Sequence, residues 1–339
     1  MLIWERIENI NNELRILMLT SEWPTSEHPE WAPFLVQQAK FLRAAGVDVV
    51  VYPFRGGKNP FNYLKAWVNL RKQYSLKGFD LIHAQFGQSG LLAWFSYLPL
   101  VVTFHGSDLQ GYVGERGEPM VSGYLLQALS CFIAHRASQR IVVSKHLTHY
   151  LPQNLPVHII PCGVDLDLFR LMDQRDARKQ LGIALDKRLV LFAANPDNPI
   201  KRYALAQEAV SLITSQFDVE LVTISDIPHE IVPVYMNACD VLLLTSKHEG
   251  SPTVVKEALA CNLPVVSVDV GDVGDRIEGI EGCVLCRDDS PQSIAAGMVE
   301  VLETGRRTES REQIDDLDER EVAKRIIEVY RLAIELETP

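Results

Sequence analysis

Short apolar runs alternate with stretches of helical period over nearly the whole chain, a rhythm that predicts parallel β-strands joined by α-helices. In the first half the strand-like runs are Leu14–Leu19, Val47–Tyr52, Asp80–His83, Leu100–Phe104, Arg140–Val143 and Val157–Ile160. In the second half they are Leu189–Ala193, Val219–Thr223, Asp240–Leu244 and Pro264–Val268. Pro33–Ala45 carries apolar residues at helical spacing and stops at Gly46, a C-cap residue. Pro161-Cys162-Gly163-Val164-Asp165 punctuates the end of the first strand set, so a hinge is expected near residues 162–172. The expected division is a first domain over 1–165, a second over 166–315, and a C-terminal segment 316–339 whose helix runs roughly over Glu319–Leu336. The longest apolar run, Leu91–Phe104, is too short to span a bilayer and is broken by Pro99, so it reads as a buried helix end followed by a strand.

Composition narrows the class of protein. A chain of 339 residues is long enough for two domains with separate cores, and 47% hydrophobic with 23% charged residues is ordinary for a globular protein. The formal net charge of −11 argues against a nucleic-acid partner, which needs a basic face. A diphosphate ligand would therefore have to find local cations. The six cysteines lie mostly in apolar runs, as expected for free thiols in a reducing cytoplasm. Cys283-Val-Leu-Cys286 reads as a short strand, because no second pair follows to complete a zinc site. Met1–Glu13 has charges and no apolar core of signal-peptide type, so export is not expected.

The richest chemistry lies in Glu249-Gly250-Ser251-Pro252-Thr253-Val254-Val255-Lys256-Glu257. Asp240–Leu244 precedes it as a strand, Ser251 is a suitable N-cap, and Pro252–Cys261 follows as a helix with Pro252 at its first position. In an open α/β sheet a strand end meeting a helix start is where ligands bind, and the first turn offers unpaired N–H groups to a diphosphate. Glu257 lies one turn past Thr253 on the same face, able to accept from two vicinal ribose hydroxyls, while Glu249 can reach a transferred sugar. Two further segments carry an open choice. Thr103-Phe104-His105-Gly106-Ser107-Asp108 places His105 at a strand's carboxyl end with a glycine beside it, or is an ordinary turn capped by Ser107 and Asp108. Pro199-Ile200-Lys201-Arg202 is a phosphate clamp in which Lys201 begins a helix, or a solvated basic pair.

Together, Glu-Gly-Ser-Pro, Lys-Glu-Ala-Leu-Ala-Cys, Leu263-Pro264-Val265-Val266 and Gly271-Asp272-Val273-Gly274 resemble the donor-binding signature of family-4 retaining glycosyltransferases. That resemblance implies the GT-B architecture: two Rossmann-like doubly wound parallel-sheet α/β domains with an interdomain cleft. It implies Glu249 and His105 as catalytic residues at the transferred sugar. Gly106, Lys201, Arg202, Gly250, Ser251, Pro252, Thr253, Val254 and Glu257 would hold the donor, with Ile227 near the base, and Glu22, Trp31 and Asp108 would stand on the acceptor side. The implied reaction moves a sugar, with retention, from a nucleotide diphosphate sugar, UDP favoured, to a glycan or lipid-linked acceptor in cell-surface polysaccharide synthesis. Neither a cofactor nor a metal is expected, since no Asp-x-Asp is placed at the donor crevice and Asp165-Leu-Asp167 falls in the linker.

The chain departs from the family pattern twice. Family members usually place an arginine a few residues before the clamp lysine, where this chain has Asn195-Pro196-Asp197-Asn198, and often a glycine in the loop occupied here by Glu30-Trp31-Ala32-Pro33. A catalytically silent sugar-nucleotide-binding subunit and a sugar-nucleotide epimerase therefore stand as alternatives, while a dinucleotide oxidoreductase fails for want of Gly-x-Gly-x-x-Gly. Residues 55–77 hold six basic and no acidic side chains interleaved with Phe61, Tyr63, Trp67 and Tyr74. They read either as a helix packing Leu64 and Val68 on the sheet or as a peripheral contact with the inner face of the cell membrane.

Overall fold

The computed structural model describes residues 14–336 except 27, 29–30, 58 and 112–119. The readings made on Met1–Glu13, Glu30 and Lys58 lie outside the described residues. Contacts divide the chain into two compact units. The described residues up to Pro161 form one together with Glu319–Leu336, and Cys162–Asp318 form the other.

In the first unit six parallel strands stand in the order β2-β1-β3-β4-β5-β6. They are β1 (Arg15–Thr20), β2 (Asp48–Pro53), β3 (Leu81–Gln85), β4 (Leu100–Phe104), β5 (Gln139–Val142) and β6 (His158–Ile159). The central strands β3, β4 and β5 are buried along their whole length, because helices cover both faces of a parallel sheet. The helices are α1 (Pro33–Ala44), α2 (Pro60–Gln73), the single turn α3 (Ser107–Gln110), α4 (Val121–Arg136) and α11 (Glu319–Leu336). Alternate residues Ile16 and Met18 of β1, with Leu81, Val101 and Ile141, face a core filled by Ala39 and Leu42 of α1 and by Val322, Ile326 and Tyr330 of α11. Right-handed crossovers put α2, the 3₁₀ segment Gly87–Ala93 and α4 on the opposite face.

Cys162–Asp318 forms a five-stranded parallel sheet of order β11-β10-β9-β7-β8, from β7 (Arg188–Phe192), β8 (Val219–Thr223), β9 (Val241–Leu244), β10 (Val265–Ser267) and β11 (Val284–Leu285). Its helices are α5 (Gln174–Leu181), α6 (Tyr203–Ser211), α7 (Val232–Ala238), α8 (Thr253–Ala260), α9 (Val273–Ile277) and α10 (Pro291–Thr304). In both sheets the winding reverses once. Strand order turns between β1 and β3 in the first and between β7 and β9 in the second, and at such a point the segments leaving the carboxyl ends part to opposite faces and open a crevice.

The strands match the apolar runs within a residue or two, and two local readings need correction. Lys201 does not begin a helix: it closes a 3₁₀ turn, Pro199–Lys201, and Arg202, at φ 53°, breaks the chain before α6. Leu64 of α2 is 58% exposed, and the helix buries Ala66 and Leu70 instead, because its sheet-facing stripe runs along those positions. Leu91–Phe104 holds the end of the buried 3₁₀ segment Gly87–Ala93 and then β4, as expected, with Phe95 and Tyr97 at the surface between them. Among the described residues no helix is long and apolar enough to cross a membrane.

A buried polar pair ties α11 to the middle of the first sheet. His83 on β3 bonds the Tyr330 hydroxyl through Nδ1 at 2.7 Å and Thr103 Oγ1 through Nε2 at 2.8 Å, and burial holds its imidazole down to about 3, so it stays neutral. Replacing Tyr330 by Phe removes one partner from a group that water cannot reach. Urea unfolding of Tyr330→Phe should show a loss of about 1–3 kcal/mol, and an unchanged midpoint would remove this bond from the list of what holds α11 in place.

Candidate active site

Two loops meet at the reversal of the second sheet. The segment after β7 ends in Lys201 and Arg202, and the segment after β9 runs from Thr245 to Pro252. Thr245 Oγ1 donates to the Lys201 carbonyl at 2.8 Å, and the Lys247 N–H donates to the Ile200 carbonyl at 2.8 Å, so neither loop is placed independently. The outcome is an ion pair of 2.6 Å between Lys201 Nζ and Glu249 Oε1, with both side chains more than two-thirds buried. Such a pair holds a cation and a carboxylate in fixed geometry where lost hydration strengthens their attraction.

Gly250 follows Glu249, and Gly271 packs against both. Gly271 adopts φ +62°, and a Cβ there would stand 3.0 Å from the Gly250 carbonyl and 3.2 Å from that of Glu249. Only glycine combines that backbone angle with so close an approach. Ser251 is not the N-cap. Its hydroxyl donates to Asp272 Oδ2 at 2.7 Å, drawn there by a carboxylate in the next loop, and Pro252 takes the cap position with no side-chain bond to the first turn. The N-terminus of α8 is thus left without a side-chain cap where Thr253 and Val254 are half-buried, an arrangement suited to an anion.

Glu257 shares the open face of α8 with Thr253. Its Oε1 meets Nε2 of His229 at 2.9 Å, and the His229 ring packs against Phe169 with centroids 5.2 Å apart. Burial works to lower the His229 pKa, but the bond and charge of Glu257, with Glu230 and Asp165, outweigh it and raise it. His229 Nδ1 has no partner among the described residues. Half-buried Ile227 lies two residues earlier and packs against the core. The contact of His229 with Glu257 is not legible in the sequence, for no local spacing links a loop after β8 to a helix after β9.

Arg202, expected at the donor, is bonded to the loops around it. Its Nε donates to the Thr245 carbonyl at 2.6 Å and its Nη1 pairs with Asp289, whose carboxyl it holds below the usual range. The side chain braces the two loops, since its αL backbone turns it along the sheet edge.

In the first unit His105 follows β4. Its ring lies 4.6 Å from Phe86 and 5.2 Å from Phe34, and its Nε2 meets Gln85 Oε1 at 2.8 Å. Gln85 donates its own amide to Gln38, so its oxygen accepts and His105 Nε2 carries the proton. Gly106, at φ 127°, turns the chain through a region closed to side chains. Asp108, expected on the acceptor side, is fully buried. It accepts from the N–H groups of Gly87 at 2.8 Å, Gly106 at 3.0 Å and His105 at 3.1 Å, clipping the segment after β3 to that after β4. Burial pushes its carboxyl up, and these backbone bonds offset part of the rise.

Glu22 sits at the reversal of the first sheet, just past β1. Desolvation pushes its carboxyl up to about 7, with the charge of Asp108 adding to the rise, although part of the residue remains exposed. Trp31 is 45% exposed and stacks on His28 at 4.4 Å.

The profile of Glycosyltransferase Family 4 matches residues 12–168, and that of Glycosyl transferases group 1 matches residues 226–304. The chain belongs to glycosyltransferase family 4. This glycosyltransferase is similar to TuaC of Bacillus subtilis (strain 168), a glycosyltransferase assigned to teichuronic acid biosynthesis, at 25% identity over 83% of this chain and 87% of that one. In fold it is similar to sucrose-phosphate synthase from Thermosynechococcus elongatus, with TM-score 0.76 at 19% identity over 96% and 100% of the two chains. It is likewise similar to Anabaena HepE, solved in complex with UDP, with TM-score 0.66 at 18% identity over 94% and 99%. The two parallel-sheet units are those of the GT-B fold, and the enzyme is a transferase.

Two outcomes follow from this geometry. Asp108→Ala leaves three backbone N–H groups unpaired, so urea unfolding of the variant should show a loss of about 3 kcal/mol or more, and a loss under about 1 kcal/mol would contradict the clip. Because the His229 pKa is raised, its pairing with Glu257 contributes fully below the ordinary value of 6.5 and is lost as pH rises through the folded value. The Tm deficit of His229→Gln should therefore be largest near about pH 6 and shrink toward about pH 9, and a deficit independent of pH would sink the linkage.

Proposed function

We propose that this enzyme transfers a sugar, with retention of configuration, from a nucleotide diphosphate sugar to a hydroxyl of a glycan or lipid-linked acceptor in cell-surface polysaccharide synthesis. The observation that carries the reading is the conjunction at one sheet reversal of the Lys201–Glu249 pair, the uncapped start of α8 and the part-exposed Glu257. The diphosphate lies against the first turn of α8 and Lys201, which meet the negative charge that builds on its oxygens. Glu257 accepts from the ribose hydroxyls, exchanging the His229 contact for them or using its second oxygen. Glu249 and His105 act at the transferred sugar, and Glu22 and Trp31 stand toward the acceptor. As the bond from sugar C1 to the phosphate oxygen breaks, the acceptor oxygen bonds to C1 from the same face, and its proton passes to the departing phosphate. UDP is the favoured nucleotide, supported by the UDP and UDP-glucose complexes of HepE. Peripheral contact with an anionic membrane through residues 55–77 belongs to the same reading.

The test is a thermal-shift panel of UDP, GDP, ADP and TDP sugars on wild type, Glu257→Ala and Glu249→Gln. The UDP series should stabilise wild type by about 2.7 kcal/mol at a hundredfold excess over Kd and fail to stabilise Glu257→Ala. Glu249→Gln should keep binding while donor turnover falls about 100-fold or more. Binding without turnover in wild type would favour the silent subunit, and no stabilisation by any nucleotide would overturn the donor site.

A further inference from the structure

Helix α4 breaks the rule that a surface helix shows a polar side to water. Its sequence, Val-Ser-Gly-Tyr-Leu-Leu-Gln-Ala-Leu-Ser-Cys-Phe-Ile-Ala-His-Arg, holds no acidic residue and no basic one before His135. An inner stripe of Gly123, Ser130, Ile133 and Ala134 is buried. The outer stripe is as apolar as the inner: Val121, Tyr124, Leu125, Ala128 and Phe132 recur at three- and four-residue spacing and are all exposed, Val121 at 77% and Leu125 at 68%. A helix apolar on all sides normally lies inside a protein or against lipid, and this one is half covered.

The apolar surface continues onto its neighbours. Trp94 stacks on Phe132 with centroids 5.3 Å apart, and its carbonyl accepts from Trp67 Nε1 at 3.2 Å and Arg71 Nη2 at 2.8 Å, so the loop carrying it is clamped between α4 and α2. Phe95 on that loop is 77% exposed and Tyr97 is 65% exposed. The outer stripe of α2 then adds Phe61 and Leu64 beside the exposed cations Lys65 and Lys72.

Charge identifies the occupant. Residues 55–164 hold ten Lys and Arg against four Asp and Glu, within a chain that has 33 against 44. A basic, aromatic-rich region in an acidic protein is complementary to a surface that is apolar beneath and negative on top. We propose that the outer face of α2, the Trp94–Tyr97 loop and α4 is a docking surface for an anionic lipid bilayer, in which Leu125, Phe132 and Phe95 enter the acyl boundary while Lys65 and Lys72 meet headgroup phosphates. It rests on the proposed function only in the choice of a membrane as partner, and it moves the apolar part of the contact from residues 55–77 to α4.

Cosedimentation with vesicles tests it. Wild type should bind vesicles containing about 30% phosphatidylglycerol at least tenfold better than pure phosphatidylcholine, and about 0.5 M salt should reverse most of that gain. Leu125→Glu with Phe95→Glu should lower binding about tenfold or more, since charges would enter the acyl boundary, and Lys65→Glu with Lys72→Glu should abolish the preference for anionic lipid. All four positions are exposed, so nucleotide stabilisation should stay at the wild-type level in both variants, which separates failure of this surface from failure of the donor site. Wild type that ignores anionic vesicles, or an α4-loop variant that binds as wild type does, overturns the proposal. So does a concentration-dependent dimer that the Leu125→Glu, Phe95→Glu variant abolishes without any vesicle binding, since the face would then belong to a second copy.

Discussion

A doubly wound parallel sheet forces one break in its own symmetry, and the chemistry of this protein gathers at that break. Where the order turns between β7 and β9, the following segments leave for opposite faces, and nothing in the backbone ladder covers the gap between them. The chain closes it with side chains and stray backbone groups: Thr245 on the carbonyl of Lys201, Lys247 on that of Ile200, Arg202 on that of Thr245. Once those contacts form, Lys201 and Glu249 have little choice but to face each other. In the first unit, away from the reversal, one buried carboxylate, Asp108, joins the segments after β3 and β4, gathering three N–H groups from both and so setting the backbone of His105.

Charge in these places is balanced locally, against the acidity of the chain as a whole. Lys201 is matched by Glu249, Glu257 by His229, Arg202 by Asp289, and Asp108 by backbone dipoles. Each match carries out part of a ligand site's work before a ligand arrives, because groups already oriented need not be reordered on binding. Glu22 is the exception. Its carboxyl is raised by surrounding protein and by the charge of Asp108, with no cation set against it among the described residues, although the residue keeps an exposed surface.

Much of this was legible in the residues. Strands announce themselves through unbroken apolar runs because a parallel sheet buries both faces, and all ten candidates became strands. Glu249 and Glu257 stood out because the loop and the helix between them lie within one stretch of chain. What escaped was decided by partners far away in sequence. Ser251 has every local qualification for an N-cap, yet Asp272, twenty-one residues on, takes its hydroxyl. Arg202 pairs with Asp289, eighty-seven residues on, which no local spacing announces. Asp108 looks like a turn residue near a ligand, and its burial gives it to the scaffold.

The sequence by itself determined the α/β class, the succession of strands and helices along the chain and the family, since these depend on local periodicity and on motifs within a single strand-loop-helix unit. The tertiary structure alone decided that Arg202 and Asp108 hold neighbouring loops together, that His229 meets Glu257, and that α4 keeps an apolar face in the open. The physical reason is range. Periodicity and capping act over a few residues, whereas a hydrogen bond or a desolvated charge is settled by whichever partner the fold carries within about 3 Å, at any distance along the chain.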